Sequence, residues 1–242
     1  MRYRETRLSI ALPVLNEAGV LERSVGRLVD RLRSDLADFD TTVIIADNGS
    51  DDRTPELGRG LAELHPEVVY LEVAGRGKGL AIRRAWETAE ADIYAFMDID
   101  LSTDLAALRP LTEAVAGGAA LALGSRRRSG AEVERSRGRL FLSWCYRQLL
   151  RLVFRTAVSD AACGFKAVSA EVVRQVLPEV RDSRWFFDTE LVLRAEHAGF
   201  GIKEIPLRWR EQAAGDRRSK VNVIKVAWEY LKQVVRLRRE LT

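Results

Sequence analysis

The chain has 242 residues, of which 47% are hydrophobic and 31% are charged, and it carries a net charge of +4. This composition predicts a folded chain with a sizeable core and excludes an intrinsically disordered one. No apolar region follows the charged first residues, and no uninterrupted run reaches about 18 apolar residues, so we expect neither a signal peptide nor a membrane-spanning helix.

Strand-like and helix-like segments alternate along the first half of the chain. In chain order, we predict a strand at 8–14, a helix at 18–36, a strand at 43–46, a helix at 54–64, a strand at 68–73, a helix at 80–90 and a strand at 93–97. The strands are short apolar runs, and the helices carry apolar residues at helical spacing. This rhythm predicts an α/β fold with a mostly parallel central sheet flanked by helices.

The second half of the chain is less regular. After a helix at 104–115 and a strand at 119–123, we predict helices at 139–155, 170–177, 188–198 and 221–239, and short strands at 165–168 and 202–205. We find no internal repeat, low-complexity tract or linker in the sequence. We therefore predict one domain over residues 1–220, with residues 221–242 as an amphipathic basic helix appended to it.

The composition also bounds the compartment and the partners. Cys145 and Cys163 are too far apart for a metal-binding CxxC pair and too few for a disulfide framework. We therefore expect a reducing, cytoplasmic location. The sequence shows no basic platform interleaved with aromatic residues and no nucleic-acid docking motif, so no nucleic-acid partner is predicted.

The most informative feature is the pair of carboxylates Asp98 and Asp100, which directly follow the predicted strand at 93–97. In an extended chain, residues two apart point to the same side, and in α/β sheets ligands bind beyond the carboxyl ends of the strands. Two carboxylates aimed at one point repel each other unless a cation lies between them, and hard oxygen ligands favour Mg²⁺ or Mn²⁺. The pair therefore predicts a metal that carries a diphosphate, and a polar strand end with solvated aspartates is the alternative.

The loops after the other strands bring more polar residues to the same predicted edge. They are Asn16 and Glu17, the segment 47–52, Lys78 in the glycine-rich loop 75–79, and Arg126. Acids at this edge can hold a base, a ribose and a metal, while Lys78 and Arg126 can face phosphate oxygens. The glycine-rich loop has neither the P-loop spacing nor the dinucleotide-binding spacing, so we predict a nucleoside-diphosphate pocket of another type.

Seven segments of the chain resemble known glycosyltransferases, in the correct order. Segments 12–17, 47–52, 77–79 and 98–100 resemble the GT-A glycosyltransferases of family 2. Segments 160–166, 184–191 and 217–221 are similar to those of the polyprenyl-phosphate sugar synthases, above all the dolichyl-phosphate glucose synthases, with the mannose synthases next. The resemblance implies a GT-A fold and a metal-dependent, inverting transfer of a hexose from a nucleotide sugar, UDP-glucose first and GDP-mannose next, to a polyprenyl or dolichyl phosphate.

The resemblance also implies roles for individual residues. The metal, Mg²⁺ or Mn²⁺, would contact Asp98, Asp100 and Ser102. The nucleotide sugar would be lined by Pro13, Asn16, Glu17, Asp47, Lys78 and Asp98. The catalytic group would be Asp188, with Asp100 and Arg126, while Arg139, Arg218, Ser219 and Lys220 would contact the donor diphosphate and the acceptor phosphate. Asn48 and Ser102 depart from the family pattern, which carries an acid and a longer polar side chain at these positions.

The role of Asp188 depends on the acceptor. A lipid phosphate is already ionised at neutral pH, so Asp188 would orient the acceptor or the sugar. An alcohol acceptor would instead need Asp188 to accept its proton. An acid at this position is also consistent with a cap at the start of a helix. A soluble small-molecule, glycan or protein acceptor is thus the alternative, and a nucleotide-sugar binder without catalysis is a third.

Two predicted helices combine apolar and aromatic faces with basic residues. In 140–155, Arg147, Arg151 and Arg155 recur every four residues along an otherwise apolar segment, and 221–239 repeats this composition. Such helices dock on anionic membrane surfaces, or they pack against their own domain or a partner subunit. With the resemblance, we predict peripheral docking of both helices on the cytoplasmic membrane face, beside a polyprenyl-phosphate site.

Overall fold

The computed structural model of the protein describes residues 6–134, 137–210 and 223–242. Its strands are β1 (Arg7–Val14), β2 (Asp40–Asp47), β3 (Val68–Glu72), β4 (Ile93–Met97), β5 (Leu121–Ser125), β6 (Glu132–Glu134), β7 (Phe165–Ser169), β8 (Ile202–Pro206) and β9 (Arg208–Arg210). The central sheet has the order β3-β2-β1-β4-β7-β5-β8, and β6 pairs with β9. Neighbouring strands of the central sheet are parallel, except that β7 is antiparallel to both β4 and β5. The predicted α/β architecture with a mostly parallel sheet is therefore confirmed.

The helices follow the predicted order, with shifted boundaries. They are α1 (Leu21–Asp35), α2 (Thr54–Leu64), α3 (Lys78–Thr88), α4 (Leu108–Ala116), α5 (Arg137–Phe154), α6 (Ala170–Gln175), α7 (Phe187–His197) and α8 (Val223–Glu240). The helix predicted from residue 18 begins only at Leu21, after a turn in which Asn16 has a left-handed φ of 57°. The helix predicted from residue 104 begins as a 3₁₀ turn, where the Asp104 carboxylate accepts a hydrogen bond from the Ala106 amide (2.9 Å).

The sheet separates two layers of apolar packing. Helices α1 and α4 contribute to one layer, and α3 and α7 contribute to the other. In the second layer, the rings of Trp86 and Phe187 lie 6.4 Å apart in an edge-to-face arrangement. Helix α8, predicted as an appendage, packs into this layer through Val234 and Leu237, which are 2% and 0% exposed.

The reversed direction of β7 decides which loops meet beyond the sheet. The parallel strands β1, β2 and β4 end at the same edge, where ligands bind in folds of this class. Because β7 runs the other way, its first residue, Phe165, pairs with the last residue of β4, Met97. The loop that precedes β7 therefore lies beside Asp98, although the two are more than sixty positions apart in the sequence.

Candidate active site

A pocket of about 550 Å³ opens at the carboxyl edge of the central sheet. Its walls come from the loops after β1 to β4 and from the segment before α7, and they consist of Pro13, Val14, Leu15, Glu17, Asn48, Arg76, Gly77, Lys78, Asp98, Ile99, Asp100, Arg184 and Trp185. The predicted residues Pro13, Glu17, Lys78, Asp98 and Asp100 thus line one pocket. Its size is within the range of small-molecule sites in proteins.

The wall after β2 is formed by Asn48 rather than by the predicted Asp47. Asp47 is only 1% exposed, and its carboxylate accepts hydrogen bonds from the Tyr70 hydroxyl (2.9 Å) and the Ser50 amide (2.9 Å). Asn48 instead joins two loops, since its side chain donates to the Val14 carbonyl (2.7 Å) and accepts from the Gly77 amide (3.0 Å). A buried carboxylate needs partners, and Asp47 finds them outside the pocket lining, so its contact with the nucleotide stays a prediction.

Asn16, also predicted to line the pocket, has a structural role in the loop after β1. Its side-chain oxygen accepts a hydrogen bond from the Asp51 amide (2.8 Å), and its own amide donates to the Ser50 hydroxyl (2.9 Å). These bonds tie the loops after β1 and β2 together. Asn16 therefore shapes the pocket from outside the lining.

Lys78 lies at the centre of the charged part of the pocket. Its ammonium nitrogen is 2.7 Å from Asp98 Oδ1 and 2.8 Å from Asp188 Oδ2, and its side chain is 8% exposed. Burial disfavours the charged ammonium, but the carboxylates of Asp188 and Asp98 outweigh this effect and raise the pKa of Lys78 above its ordinary value. Lys78 is therefore a permanent cation that joins two acids from different elements.

Two glycines allow Lys78 to reach this position. A Cβ on Gly77 would lie 2.2 Å from the Ser183 carbonyl oxygen, and Gly77 has a φ of 154°. A Cβ on Gly79 would lie 2.5 Å from the Cβ of Phe187. Only glycine permits such close backbone approach, so the start of α3 packs directly against the segment before α7. This contact brings Lys78 to Asp188.

Asp188 lies in the first turn of α7 and does not cap the helix. The residue at the N-cap position is Phe186, whose side chain makes no capping hydrogen bond, and the Phe187 amide donates to Asp182 instead (3.1 Å). One carboxylate oxygen of Asp188 is held by Lys78, while the other, Oδ1, is buried and has no hydrogen-bond partner among the described residues. A buried acceptor without a partner is costly, and it marks a group that is ready to receive a hydrogen bond from a ligand.

Asp98 is half-exposed at the pocket and rests on the backbone of the loop before β7. Its side chain is 48% exposed, and a Cβ on Gly164 would lie 2.1 Å from its Oδ2 and 2.8 Å from its Cγ. Any side chain at position 164 would therefore displace the Asp98 carboxylate. Asp100 also lines the pocket, and its Oδ1 accepts a hydrogen bond from the Ser102 amide (2.9 Å), so the link between Ser102 and Asp100 runs through the backbone.

Arg126, predicted to face phosphate oxygens, is held by Asp160 of the loop before β7. The backbone amide, Nε and NH2 of Arg126 donate to the Asp160 carboxylate at 3.0, 2.8 and 2.8 Å. Burial disfavours both charges, but their mutual attraction prevails, so the pKa of Arg126 is raised and that of Asp160 is lowered. The guanidinium is thus held in a bidentate pair and is not part of the pocket lining, and its contact with phosphate oxygens stays a prediction.

A comparison with protein families decides the class of this site. The model of glycosyl transferase family 2 matches residues 9–177, which contain the loops after β1 to β5. The chain belongs to glycosyl transferase family 2. The site is therefore that of a glycosyltransferase. The resemblance to family 2 that rested on segments 12–17, 47–52, 77–79 and 98–100 is confirmed.

Curated relatives of this glycosyltransferase include proteins that act on dolichyl phosphate. It is 36% identical over 237 residues to the glycosyltransferase AglD of Haloferax volcanii, covering 97% of this chain and 37% of AglD. It is 27% identical over 250 residues to the dolichyl-phosphate beta-glucosyltransferase ALG5C of Trichomonas vaginalis, covering 98% of this chain and 73% of that protein. The chain thus spans only about a third of the length of AglD.

The fold of the glycosyltransferase is shared with a solved enzyme. The glucosyl-3-phosphoglycerate synthase of Mycobacterium tuberculosis, in complex with Mn²⁺, UDP and glucosyl-3-phosphoglycerate, superposes with a TM-score of 0.65 at 20% identity. The alignment covers 98% of this chain and 80% of the other. This likeness confirms the predicted GT-A fold class.

For several predicted phosphate-binding residues of the glycosyltransferase, the structure describes no side chain. Arg139 belongs to α5, but its side chain is among those that the structure does not describe. Arg218, Ser219 and Lys220 lie outside the described residues altogether. Their contacts with donor and acceptor phosphates stay predictions.

The structure adds residues that sequence reasoning missed. Arg76, Arg184 and Trp185 line the pocket, and Asp160 and Gly164 support Arg126 and Asp98 from behind. Arg184 and Trp185 lie in segment 184–191, and Asp160 and Gly164 lie in segment 160–166, so the family resemblance of these segments was the signal that could have found them. The resemblance alone assigned no role to these residues, because their partners come from distant parts of the chain.

Proposed function

We propose that this glycosyltransferase moves a hexose from a nucleoside diphosphate sugar to a polyprenyl or dolichyl phosphate. The observation that carries the proposal is the meeting of Asp98, Lys78 and Asp188: Asp98 and Lys78 line the pocket, and Lys78 holds the buried Asp188, which is not itself part of the lining. It combines an acid exposed to a ligand, a permanent cation and a buried acid with one unpartnered oxygen. The names of the dolichyl-phosphate relatives support the lipid phosphate as acceptor.

We further propose that Asp98 and Asp100 hold Mg²⁺ or Mn²⁺ together with the donor diphosphate, with Ser102 beside them. Among the described residues, no three His, Cys, Asp or Glu side chains gather into a complete metal site. Two carboxylates nevertheless fit an ion whose other ligands are substrate phosphate oxygens and water, which is how proteins usually bind Mg²⁺. When bound, such an ion supplies charge stabilisation for the departing nucleoside diphosphate.

The chain's own residues then do three things in this proposal. Lys78 places positive charge beside the diphosphate and holds Asp188 in position. The unpartnered Oδ1 of Asp188 accepts a hydrogen bond from a hydroxyl of the sugar, and no proton transfer is needed because a phosphate acceptor is already ionised. Arg126, fixed by Asp160, adds a second cation near Asp98.

The proposed donor is UDP-glucose, with GDP-mannose next. The support for glucose is that ALG5C is named as a glucosyltransferase. A fold neighbour bound to UDP is compatible with a uridine nucleotide.

The proposed place of action is a membrane surface. Within the described ranges, no helix has the length and apolarity needed to cross a bilayer. Helices α5 and α8 nevertheless expose large apolar side chains, namely Leu142, Trp144, Leu152, Trp228, Leu231 and Val235. Lys232 and Arg239 line the same groove on α8 as Trp228, a combination that suits an anionic bilayer surface.

A soluble acceptor is the second candidate. The fold neighbour that supports it is named for an acceptor of this kind, 3-phosphoglycerate. For an acceptor hydroxyl, Asp188 would have to take the proton as a general base.

The test is a product assay with purified protein and Mn²⁺. UDP-glucose and GDP-mannose are each incubated with a short-chain polyprenyl phosphate or with 3-phosphoglycerate, and the products are identified by mass. Sugar-linked polyprenyl phosphate from one donor supports the proposal and names the donor. A product only with 3-phosphoglycerate would overturn the lipid acceptor and favour the second candidate. Flotation with vesicles of anionic and of neutral phospholipid tests the membrane surface, and failure to bind the anionic vesicles at low salt would overturn that part.

A further inference from the structure

Trp185 is an exposed aromatic residue on the rim of the pocket. It is 58% exposed, although large aromatic side chains are usually buried in folded domains. It lines the same pocket as Lys78 and Asp98, and the Lys78 ammonium lies 5.9 Å from the centre of its ring, over the ring face. The indole face is therefore turned toward the group of charges that the proposed function places at the reaction centre.

The backbone around Trp185 is held by contacts with Tyr230 and Asp182. The Tyr230 hydroxyl of α8 donates a hydrogen bond to the Trp185 carbonyl (3.1 Å). The next ring, Phe186, packs edge-to-face on Tyr230 at 5.7 Å. Asp182 Oδ1 accepts hydrogen bonds from the amides of Arg184 (2.7 Å) and Phe187 (3.1 Å). A side chain this exposed on a segment this well fixed suggests that a ligand uses the ring.

The buried carboxylate of Glu190 fixes the beginning of the same segment. It is 0% exposed and accepts hydrogen bonds from the amides of Arg181 (3.1 Å) and Asp182 (2.9 Å). The Arg236 guanidinium of α8 lies 2.5 Å from its Oε2. Helix α8 thus supports the Trp185 segment through both Tyr230 and Arg236.

We propose that Trp185 is the platform on which the hexose of the donor stacks during transfer. This inference rests on the proposed function and assigns a sugar-binding residue within the same site. A hexose presents a face of C–H groups that packs on an aromatic ring, and such packing adds to the area buried. The hexose is the favoured occupant because Trp185 lies beside Lys78, Asp98 and Asp188, where the sugar–phosphate bond breaks.

The nucleobase fits this position less well. The lining residues Pro13, Leu15, Glu17 and Asn48 come from β1 and from the loops after β1 and β2, and they are the proposed place for the base and the ribose. Stacking of the base on Trp185 would put the base, and not the hexose, beside the charges of Lys78 and Asp98. The two arrangements are distinguished by the affinities for the free nucleotide and for the nucleotide sugar.

The test compares nucleotide and nucleotide-sugar affinity by calorimetry in the presence of Mn²⁺. UDP, UDP-glucose, GDP and GDP-mannose are titrated into the wild-type protein and into Trp185→Ala, Trp185→Phe and Trp228→Ala. Trp228 is the matched control, since it is a tryptophan with 60% exposure on α8 and lies outside the pocket lining. Thermal unfolding of each variant checks that it is folded.

We expect Trp185→Ala to lower the affinity for the nucleotide sugar about tenfold and to leave the affinity for the free nucleotide unchanged. Trp185→Phe keeps a ring and should retain most of the affinity, and Trp228→Ala should match the wild type. Equal weakening of nucleotide and nucleotide sugar by Trp185→Ala would overturn the inference, because the ring would then contact the nucleotide. Unchanged affinities in Trp185→Ala would also overturn it, and reduced vesicle binding by that variant would then assign Trp185 to the membrane surface. If the wild type binds none of the four ligands, the proposed function itself fails.

Discussion

The ammonium of Lys78 and the carboxylate of Asp188 form a 2.8 Å ion pair between residues 110 positions apart in the chain. The pair joins the start of α3 to the first turn of α7, and both side chains are nearly buried, with 8% and 7% exposure. The same ammonium lies 2.7 Å from Asp98. Lys78 therefore sets the spacing between the acid proposed to bind the metal and the acid proposed to contact the sugar or acceptor.

Removal of the Lys78 charge should destabilise the protein through Asp188. Lys78→Met leaves a buried carboxylate without its partner, and we expect the free energy of unfolding to fall by about 3–5 kcal/mol. The double variant Lys78→Met/Asp188→Asn should recover part of this loss, because it no longer buries an unpaired charge. Chemical denaturation of the wild type, both single variants and the double variant measures the coupling.

Lys232→Met is the control for loss of a lysine charge, since Lys232 is exposed and its 3.5 Å ion pair with Glu229 is exposed as well. Its effect should stay within about 0.5 kcal/mol. Strictly additive effects of Lys78→Met and Asp188→Asn would contradict the role assigned to the ion pair.

The carboxylate of Asp100 should be essential for metal-dependent transfer. We expect Asp100→Asn to lower the transfer rate by about a hundredfold or more, and chelation of the metal by EDTA to have a similar effect on the wild type. Asp104→Asn is the matched control, because Asp104 is an exposed acid of the same loop that binds the Ala106 amide outside the pocket. Transfer rates and Mn²⁺ titrations measure these effects, and full activity of Asp100→Asn would refute the proposed ligand role.

The space at Gly164 should control the position of Asp98. In Gly164→Ala the new Cβ would lie 2.1 Å from Asp98 Oδ2, so the carboxylate has to move away from its present position. We expect Mn²⁺-dependent nucleotide binding to weaken by about tenfold or more, since ligand geometry sets metal affinity. Gly201→Ala is the control, because no atom lies within 4 Å of a Cβ there. Equal binding by both variants would show that Asp98 needs no support from Gly164.

Glu190 should make stability depend on acidic pH. Burial alone would raise its pKa, but hydrogen bonds from Arg236, the Arg181 and Asp182 amides and Arg194 outweigh burial, so the folded-state pKa lies below the ordinary 4.5. The stabilisation is therefore fully present above pH 4.5 and is lost as the pH falls through the lower folded-state pKa.

Glu190→Gln removes this titration together with the ion pair to Arg236. We expect the variant to be less stable than the wild type at pH 7, and the difference to shrink as the pH is lowered below 4.5. Urea unfolding of both proteins between pH 7 and pH 3 measures the difference. A difference that is constant over this range would contradict the assignment.

Local patterns in the sequence were sufficient for the architecture. The alternation of apolar strands with amphipathic helices predicted the α/β fold, because hydrophobic periodicity reports which face of each element is buried. The position of Asp98 and Asp100 directly after an apolar strand predicted that both would lie at the carboxyl edge of the sheet, and both line the pocket there. These features depend on neighbouring residues, and therefore they can be read along the chain.

Partners between distant segments were decided only by the tertiary structure. The antiparallel β7 sets Gly164 under Asp98 and Asp160 beside Arg126, while the glycines of 77–79 let Lys78 reach Asp188. The packing of distant segments also buries Asp47 and leaves Trp185 exposed at the rim of the pocket. The partner of a charged or polar side chain is set by which strands and helices pack side by side, and that arrangement depends on contacts across the whole fold rather than on any local run of residues.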